Sequence, residues 1–243
     1  MSGESWSWPE LRPWTEPIGH TEQVIIVAAT GGAKSTLAAS MTLPVGSLVG
    51  IDGKETWTLP RARLVNLPPW GEEGANRRAF DAALGDALRW RTGRGETNRV
   101  ILRPYVLDVE SLPAHDAIFA AIYRQGSRLV LIDEITSTGA TARTAPQWLR
   151  AISARGRTRG LGLWTLTQRP YALVPTILKA NATYLIVGPL EPEEVADIPR
   201  PGIDLATTIP RKSGRFLLYV AGEREPYRLY VPIPPALHGW SAP

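Results

Sequence analysis

Residues 24–36 read VIIVAATGGAKST. The apolar residues at the start of this stretch predict a buried β-strand, and the helix-prone residues Leu37, Ala38 and Ala39 follow its end. Between them lies a glycine-containing turn that closes with Lys34, Ser35 and Thr36. A strand, a glycine turn and a helix N-terminus in this order are typical of a P-loop, whose backbone N–H groups surround the phosphates of a nucleotide.

The P-loop interpretation gives each residue of the turn a role. We expect the nucleotide to contact the seven residues from the tip of the turn to the start of the helix: Thr30, Gly31, Gly32, Ala33, Lys34, Ser35 and Thr36. Lys34 would reach the β- and γ-phosphates, and the Ser35 hydroxyl would hold a Mg²⁺ ion. The cofactors predicted in this way are ATP and Mg²⁺.

The turn departs from the usual pattern G-x-x-x-x-G-K-[ST] at two positions. Ala28 and Ala33 stand where that pattern has glycine. Glycine is favoured there because it adopts positive φ freely, whereas alanine in a left-handed conformation costs roughly 1–2 kcal/mol. Alanine keeps the N–H group that binds phosphate. The alternative is a strand–helix unit with a glycine turn and a solvated lysine, so a second motif has to decide.

The second motif is RLVLIDE at residues 128–134. Its consecutive apolar residues predict a strand buried on both faces, and two acids at the end of such a strand favour a ligand site at the carboxyl edge of an α/β sheet. Asp133 would act as the Walker-B acid and bind Mg²⁺, usually through water, and Glu134 would polarise the water that attacks the γ-phosphate. The alternative is an ordinary strand that ends in a helix-capping Asp-Glu pair.

Composition suits one α/β domain. The chain has 243 residues, 44% of them hydrophobic and 21% charged, and a net charge of +4. It has no cysteine, which excludes a disulfide framework, a thiolate zinc site and a cysteine nucleophile. No secretory signal and no apolar run of about 18–20 residues is found, so we expect an intracellular protein without a transmembrane segment.

Strand and helix patterns alternate along most of the chain. Residues 1–20, with Trp6, Trp8 and Trp14, are expected to be an irregular Trp- and Pro-rich segment, and residues 21–243 a single P-loop ATPase domain. The alternation implies a mainly parallel sheet flanked by helices. Two segments near the end, 215–220 and 227–231, predict an antiparallel β-hairpin.

Residues 155–188 carry a more specific signal. They contain RGRTRGLGLWTLTQRP followed by ILKANATYLIVG. An arginine-bearing helix, a glycine, an apolar strand ending in Thr-Gln-Arg-Pro, a Lys-Ala-Asn element and a further strand resemble the FtsK–HerA superfamily of ring-forming, DNA-pumping ATPases. Together with the two nucleotide motifs, the resemblance covers residues 22 to 190.

This resemblance implies an α/β fold of the RecA/FtsK–HerA type and a homo-oligomeric ring, expected to be a hexamer. It also assigns three further site residues. Gln168 would sense the γ-phosphate and orient water, while Arg157, or as second choice Arg155, would reach the nucleotide of a neighbouring subunit. An arginine supplied in trans neutralises transition-state charge and is worth about 10³–10⁵ in rate.

Within the superfamily, the short chain most resembles the genome-packaging ATPases of tailless, membrane-containing icosahedral viruses. The resemblance implies pumping of double-stranded DNA into a preformed capsid, with the capsid vertex or viral membrane proteins as partners and the host cytoplasm or the virion packaging vertex as location. Two alternatives stay open: an ATPase that pumps single-stranded DNA or assembles virions, and a nucleotide-binding switch. Candidate DNA contacts are Arg143 in the 136–146 loop and two basic groups: Arg77, Arg78, Arg89, Arg91 and Arg94, and Arg211, Lys212 and Arg215.

Overall fold

The computed structural model describes residues 10–53, 58–90, 98–105, 111–168, 171–191, 194, 198 and 214–230. These residues form a nine-stranded sheet. In chain order the strands are β1 (Gln23–Val27), β2 (Ser47–Asp52), β3 (Arg63–Asn66), β4 (Asn98–Arg103), β5 (Arg128–Asp133), β6 (Leu161–Thr167), β7 (Tyr184–Val187), β8 (Arg215–Val220) and β9 (Tyr227–Tyr230).

The strand order across the sheet is β3-β4-β2-β5-β6-β1-β7-β8-β9. Strands β1 to β7 pair in parallel with one another, whereas β8 pairs antiparallel with β7 and β9 pairs antiparallel with β8. This arrangement confirms the predicted mainly parallel α/β sheet and its C-terminal hairpin. No helix among the described residues has the length and apolar character needed to cross a membrane.

Among the described residues, five α-helices connect the parallel strands. They are α1 (Lys34–Met41), α2 (Gly74–Arg89), α3 (Ser111–Gln125), α4 (Gln147–Arg155) and α5 (Thr176–Asn181). Helix α1 contains Leu37, Ala38 and Ala39, the helix-prone residues that follow the glycine turn in the sequence. The short α5 occupies the Lys-Ala-Asn element.

Each central strand is apolar on both faces, because helices cover both sides of the sheet. In β5, Val130 and Ile132 pack into the cluster that includes α2 to α5, while Leu129 and Leu131 pack into the cluster that includes α1. Helix α1 and the P-loop therefore lie on one face, and the other four helices lie on the opposite face.

Part of the N-terminal segment packs on the α1 face. Trp14 makes edge contacts with the rings of Tyr184 and Tyr227, at centroid distances of 5.9 and 5.0 Å. Its backbone N–H also donates to the carbonyl oxygen of Arg228. Trp6 and Trp8 lie outside the described residues. The division into a segment 1–20 and a single domain 21–243 stays a prediction.

Candidate functional site

The topology of the sheet brings the two predicted motifs to one edge. Strand β6 lies between β1 and β5 and pairs in parallel with both. The P-loop follows β1, Gln168 follows β6, and Asp133 ends β5, so all of them lie at the carboxyl edge of the sheet. Gln168 therefore stands between the glycine turn and the two acids at the end of β5, in the position where ligands of open α/β sheets bind.

The backbone of the P-loop turns through left-handed conformations at one glycine and one alanine. Gly31 has φ 77°, and Ala33, at the N-terminus of α1, has φ 65° and ψ 25°. Gly32 is required by space, because a Cβ there would lie 2.9 Å from the Ala28 methyl group. Ala28 does not have a positive φ. Of the two alanines that replace pattern glycines, only Ala33 is therefore strained.

The first turn of α1 is suited to bind an anion. The helix begins with no side-chain cap and has no acidic residue in its first turn. The N-terminal N–H groups of a helix and its dipole favour a phosphate at this end. Lys34 is 6% exposed, and its Nζ donates to the carbonyl oxygens of Ala28 and Ala29 at 2.5 and 2.9 Å. The lysine ammonium group is thus held inside the curve of the loop.

Glu134 is buried and held by three donors. It is 4% exposed, and its carboxylate accepts hydrogen bonds from the hydroxyl groups of Thr136 and Thr167, both at 3.0 Å, and from the backbone N–H of Gln168 at 2.9 Å. Its backbone has φ 70° and ψ 93°, an uncommon conformation for a residue with a side chain. Such strain persists only where the surroundings fix it, and it clusters at functional sites.

A hydrogen bond joins the P-loop to Gln168. The hydroxyl of Thr30 donates to the Gln168 Oε1 at 2.9 Å. Because the backbone N–H of Gln168 also donates to Glu134, one residue connects the tip of the P-loop with the buried carboxylate. The geometry thus brings together Thr30, Gln168 and Glu134.

Asp133 occupies the other face of the β5 end. Side chains alternate along a strand, so Asp133 lies on the same face as Leu129 and Leu131, which is the face of α1 and Ser35. Asp133 is 8% exposed. A carboxylate and a hydroxyl are the hard oxygen donors that Mg²⁺ prefers, with water and phosphate filling the remaining positions. The pair fits that ion, although the described residues contain no group of three His, Cys, Asp or Glu arranged to hold a metal by themselves.

A buried ion pair beside Asp133 was not predicted from the sequence. Asp52 ends β2 directly opposite Asp133 in the ladder, and its carboxylate accepts a hydrogen bond from Nε of Arg103 at 3.0 Å. The Asp52 side chain is fully buried, and that of Arg103 is 16% exposed. Asp52 is the last residue of its strand, as Asp133 is of β5. An aspartate at the end of an apolar strand is the sequence signal that could have identified Asp52.

The two arginines predicted to act in trans lie away from the P-loop of their own chain. Arg157 follows α4, and its guanidinium donates to the Glu22 carboxylate at 2.8 Å and to the hydroxyl of Thr183. Glu22 and Thr183 directly precede β1 and β7, so Arg157 lies at the amino edge of the sheet. Arg155 is the exposed last residue of α4.

The basic residues considered as DNA contacts have different surroundings in the structure. Arg77 and Arg89 pair with Asp81 and Asp86 on α2, at 2.7 and 2.8 Å. Arg215 lies over the ring of Tyr230. Four further candidates, and two residues of the motif, lie outside the described residues: Arg91, Arg94, Arg211, Lys212, Arg169 and Pro170.

Comparison with known proteins identifies the fold. No family model matches the sequence, and no curated protein matches it. The genome-packaging NTPase of Sulfolobus turreted icosahedral virus 2, solved in complex with AMPPCP, superposes with a TM-score of 0.59 at 16% identity, over 87% of this chain and 98% of that one.

Two conjugation proteins are also similar in structure. The bacterial conjugative coupling protein TrwBdeltaN70, in complex with sulphate, has a TM-score of 0.56 at 11% identity, over 94% of this chain and 93% of that one. The pCW3 conjugation coupling protein TcpA, in its monomer form with ATPgS, has a TM-score of 0.53 at 12% identity, over 88% of this chain and 62% of that one. The chain therefore has the fold of P-loop NTPases, a mainly parallel sheet flanked by helices.

Proposed function

We propose that this protein is an ATPase that couples hydrolysis to DNA translocation, and specifically a genome-packaging ATPase that pumps double-stranded DNA into a preformed capsid. The observation that carries the enzymatic part is the buried, strained Glu134, held by Thr167 and Gln168 on the strand next to the P-loop strand. Binding a nucleotide needs no such carboxylate, whereas hydrolysis needs a group that orients and polarises water.

The proposed site uses the residues of both motifs. The nucleotide contacts are residues 30–36, in which the N–H groups at the start of α1 and the Lys34 ammonium group bind the phosphates. Ser35 and Asp133 would hold Mg²⁺, which neutralises charge on the β- and γ-phosphates when bound. Phosphate oxygens would replace the carbonyl oxygens of Ala28 and Ala29 as acceptors for Lys34.

The hydrogen bond between Thr30 and Gln168 suggests how the site detects the γ-phosphate. A nucleotide on the loop competes for the Thr30 hydroxyl and for the Gln168 amide. A shift of Gln168 changes the position of its backbone N–H, which donates to Glu134. The arrival of ATP would thereby release one of the three bonds that hold the carboxylate and let it bind water.

The DNA-handling part of the proposal is supported by the similar structures. One of them is a viral genome-packaging NTPase that spans almost the same length as this chain. We propose a homo-oligomeric ring, expected to be a hexamer, in which Arg157, or else Arg155, supplies the trans arginine. In the proposed ring Arg157 would exchange Glu22 for the neighbour's nucleotide. Capsid-vertex or viral membrane proteins are the proposed partners, at the packaging vertex or in the host cytoplasm.

A second candidate is an ATPase that pumps single-stranded DNA. The structural similarity to two conjugation coupling proteins is the observation that supports this second candidate. Stimulation of hydrolysis by single strands rather than duplex DNA would identify it.

The variant that tests the enzymatic part is Glu134→Gln. We expect this variant to bind ATP with unchanged affinity and to lose turnover by at least about 10²-fold, since the amide cannot accept a proton. Glu73→Gln is the matched control, because Glu73 is exposed and makes no cap hydrogen bond at α2. ATP binding by fluorescence and phosphate release would be measured for both. Unchanged turnover in Glu134→Gln would contradict the assigned role.

A further inference from the structure

A groove of about 710 Å³ lies between α4, α5 and the loop that precedes α4. Three arginines line it, together with three residues that carry hydroxyl or amide groups, and small or apolar residues make up the rest. The arginines are Arg143, Arg150 and Arg155. Among the residues that the structure describes, none that lines the groove is acidic or aromatic. All formal charges on the described lining residues are therefore positive.

The pattern of α4 explains how the groove forms. Leu149, Ile152 and Ser153 are buried against the core, which turns the opposite side of the helix outward. The outward positions follow helical spacing and are Gln147, Arg150, Ala151, Ala154 and Arg155. The small side chains of the two alanines let a partner approach the helix backbone closely. The longer side chains of the arginines on either side can then contact the same partner.

The charges in the groove are available to a ligand. Arg143, Arg150 and Arg155 are exposed, and their guanidinium groups make no hydrogen bond or ion pair with the part of the chain that the structure describes. Arg157, only two residues after Arg155, is instead paired with Glu22. The arginines of the groove thus differ from the neighbouring Arg157, which pairs with an acidic side chain.

From these features we infer that the groove between α4 and α5 binds the phosphate backbone of duplex DNA. This inference rests on the proposed DNA translocation and names its contact surface. Guanidinium groups bind phosphate in a bidentate manner, and the hydroxyl groups of Thr144 and Thr176 add donors that carry no sequence information. Proteins that bind single strands add aromatic side chains on which bases stack, and no aromatic residue among those that the structure describes lines this groove.

The test variant is the double substitution Arg143→Gln/Arg150→Gln. Arg155 is left unchanged because it is also a candidate trans arginine. The matched control is Arg124→Gln/Arg224→Gln, which removes the same charge from two exposed arginines on α3 and on the β8–β9 turn. Binding of a 30-base-pair duplex and of a single strand of the same sequence is measured by fluorescence anisotropy across a salt series, with a non-hydrolysable ATP analogue present.

We expect duplex affinity to fall at least about tenfold in the groove variant. The slope of log K against log salt should decrease by about 2, one unit for each phosphate that an arginine no longer neutralises. The control should keep the slope of the wild type. An unchanged slope and affinity in the groove variant would overturn the inference and leave DNA translocation standing. A wild type that hydrolyses ATP but binds no DNA would instead overturn the proposed function.

Sedimentation of the same variants distinguishes a protein partner. If Arg143→Gln/Arg150→Gln loses self-association while its assembled form binds duplex DNA as the wild type does, the groove contacts another copy of the chain, and the inference is wrong. Stronger dependence on the groove for single strands than for duplex would also contradict it.

Discussion

The two alanines in the P-loop should respond in opposite ways to replacement by glycine. Ala33 has a left-handed backbone, with φ 65°, whereas Ala28 does not have a positive φ and is completely buried. In Ala33→Gly, removal of the left-handed strain raises the free energy of unfolding by roughly 1–2 kcal/mol. Glycine also gives the unfolded chain more conformational freedom, which lowers the free energy of unfolding by about 0.4–1 kcal/mol. The difference between these two effects predicts an increase of roughly 0–1.6 kcal/mol in the free energy of unfolding, with a midpoint of about 0.8 kcal/mol.

For Ala28→Gly both effects destabilise the protein. Loss of the buried methyl group lowers the free energy of unfolding by about 0.8 kcal/mol. The greater entropy of the unfolded chain lowers it further, by about 0.4–1 kcal/mol. The methyl also fills space beside Gly188, where an added Cβ would lie 2.7 Å from it. We therefore expect the free energy of unfolding to fall by roughly 1–2 kcal/mol.

Urea unfolding followed by tryptophan fluorescence measures both variants, since the chain has nine tryptophans. Equal m-values would show that the midpoints report stability rather than a change in the unfolded state. If Ala33→Gly destabilises the protein as much as Ala28→Gly does, Ala33 is not in the left-handed conformation, and the account of this loop fails.

Two further predictions concern the neighbouring strands. Thr167→Val removes one donor to Glu134 and should lower kcat about tenfold, since a bond to a charged group is worth about 1.5–3 kcal/mol, with KM little changed. Thr165→Val is its control, because the buried Thr165 hydroxyl has no hydrogen-bond partner among the described residues; equal kcat in the two variants would contradict the role of Thr167. Asp52→Ala removes the carboxylate that pairs with Arg103 and should lower the free energy of unfolding in urea by about 3–5 kcal/mol; a loss below about 1 kcal/mol would show that the pair is not buried in solution.

The elements that contain the nucleotide motifs could be predicted because their signals are local. The apolar run of β1, the glycine turn and the start of α1 follow each other in the sequence, and the β5 strand ends in its acids. The general rule that the carboxyl ends of parallel strands meet at one edge likewise brings Gln168, which follows β6, next to the end of β5. Each of these features depends on short-range periodicity or on the general rules for parallel sheets.

The features that could not be predicted depend on contacts between distant residues. Arg103 follows Asp52 by fifty-one positions, and only the pairing of β2 with β4 makes them neighbours. The hydrogen bonds from Thr167 and Gln168 to Glu134 likewise depend on the pairing of β5 with β6. The sequence pattern treats Ala28 and Ala33 alike, because the backbone conformation that separates them is set by the folded loop.

The measurement that tests the central claim most directly is ATP hydrolysis by the purified protein, with and without linear double-stranded DNA, over temperatures up to about 75 °C. The account predicts turnover that duplex DNA stimulates several-fold more than single-stranded DNA does, and that Glu134→Gln abolishes. ATP binding without turnover under every one of these conditions would contradict it and identify a nucleotide-binding switch.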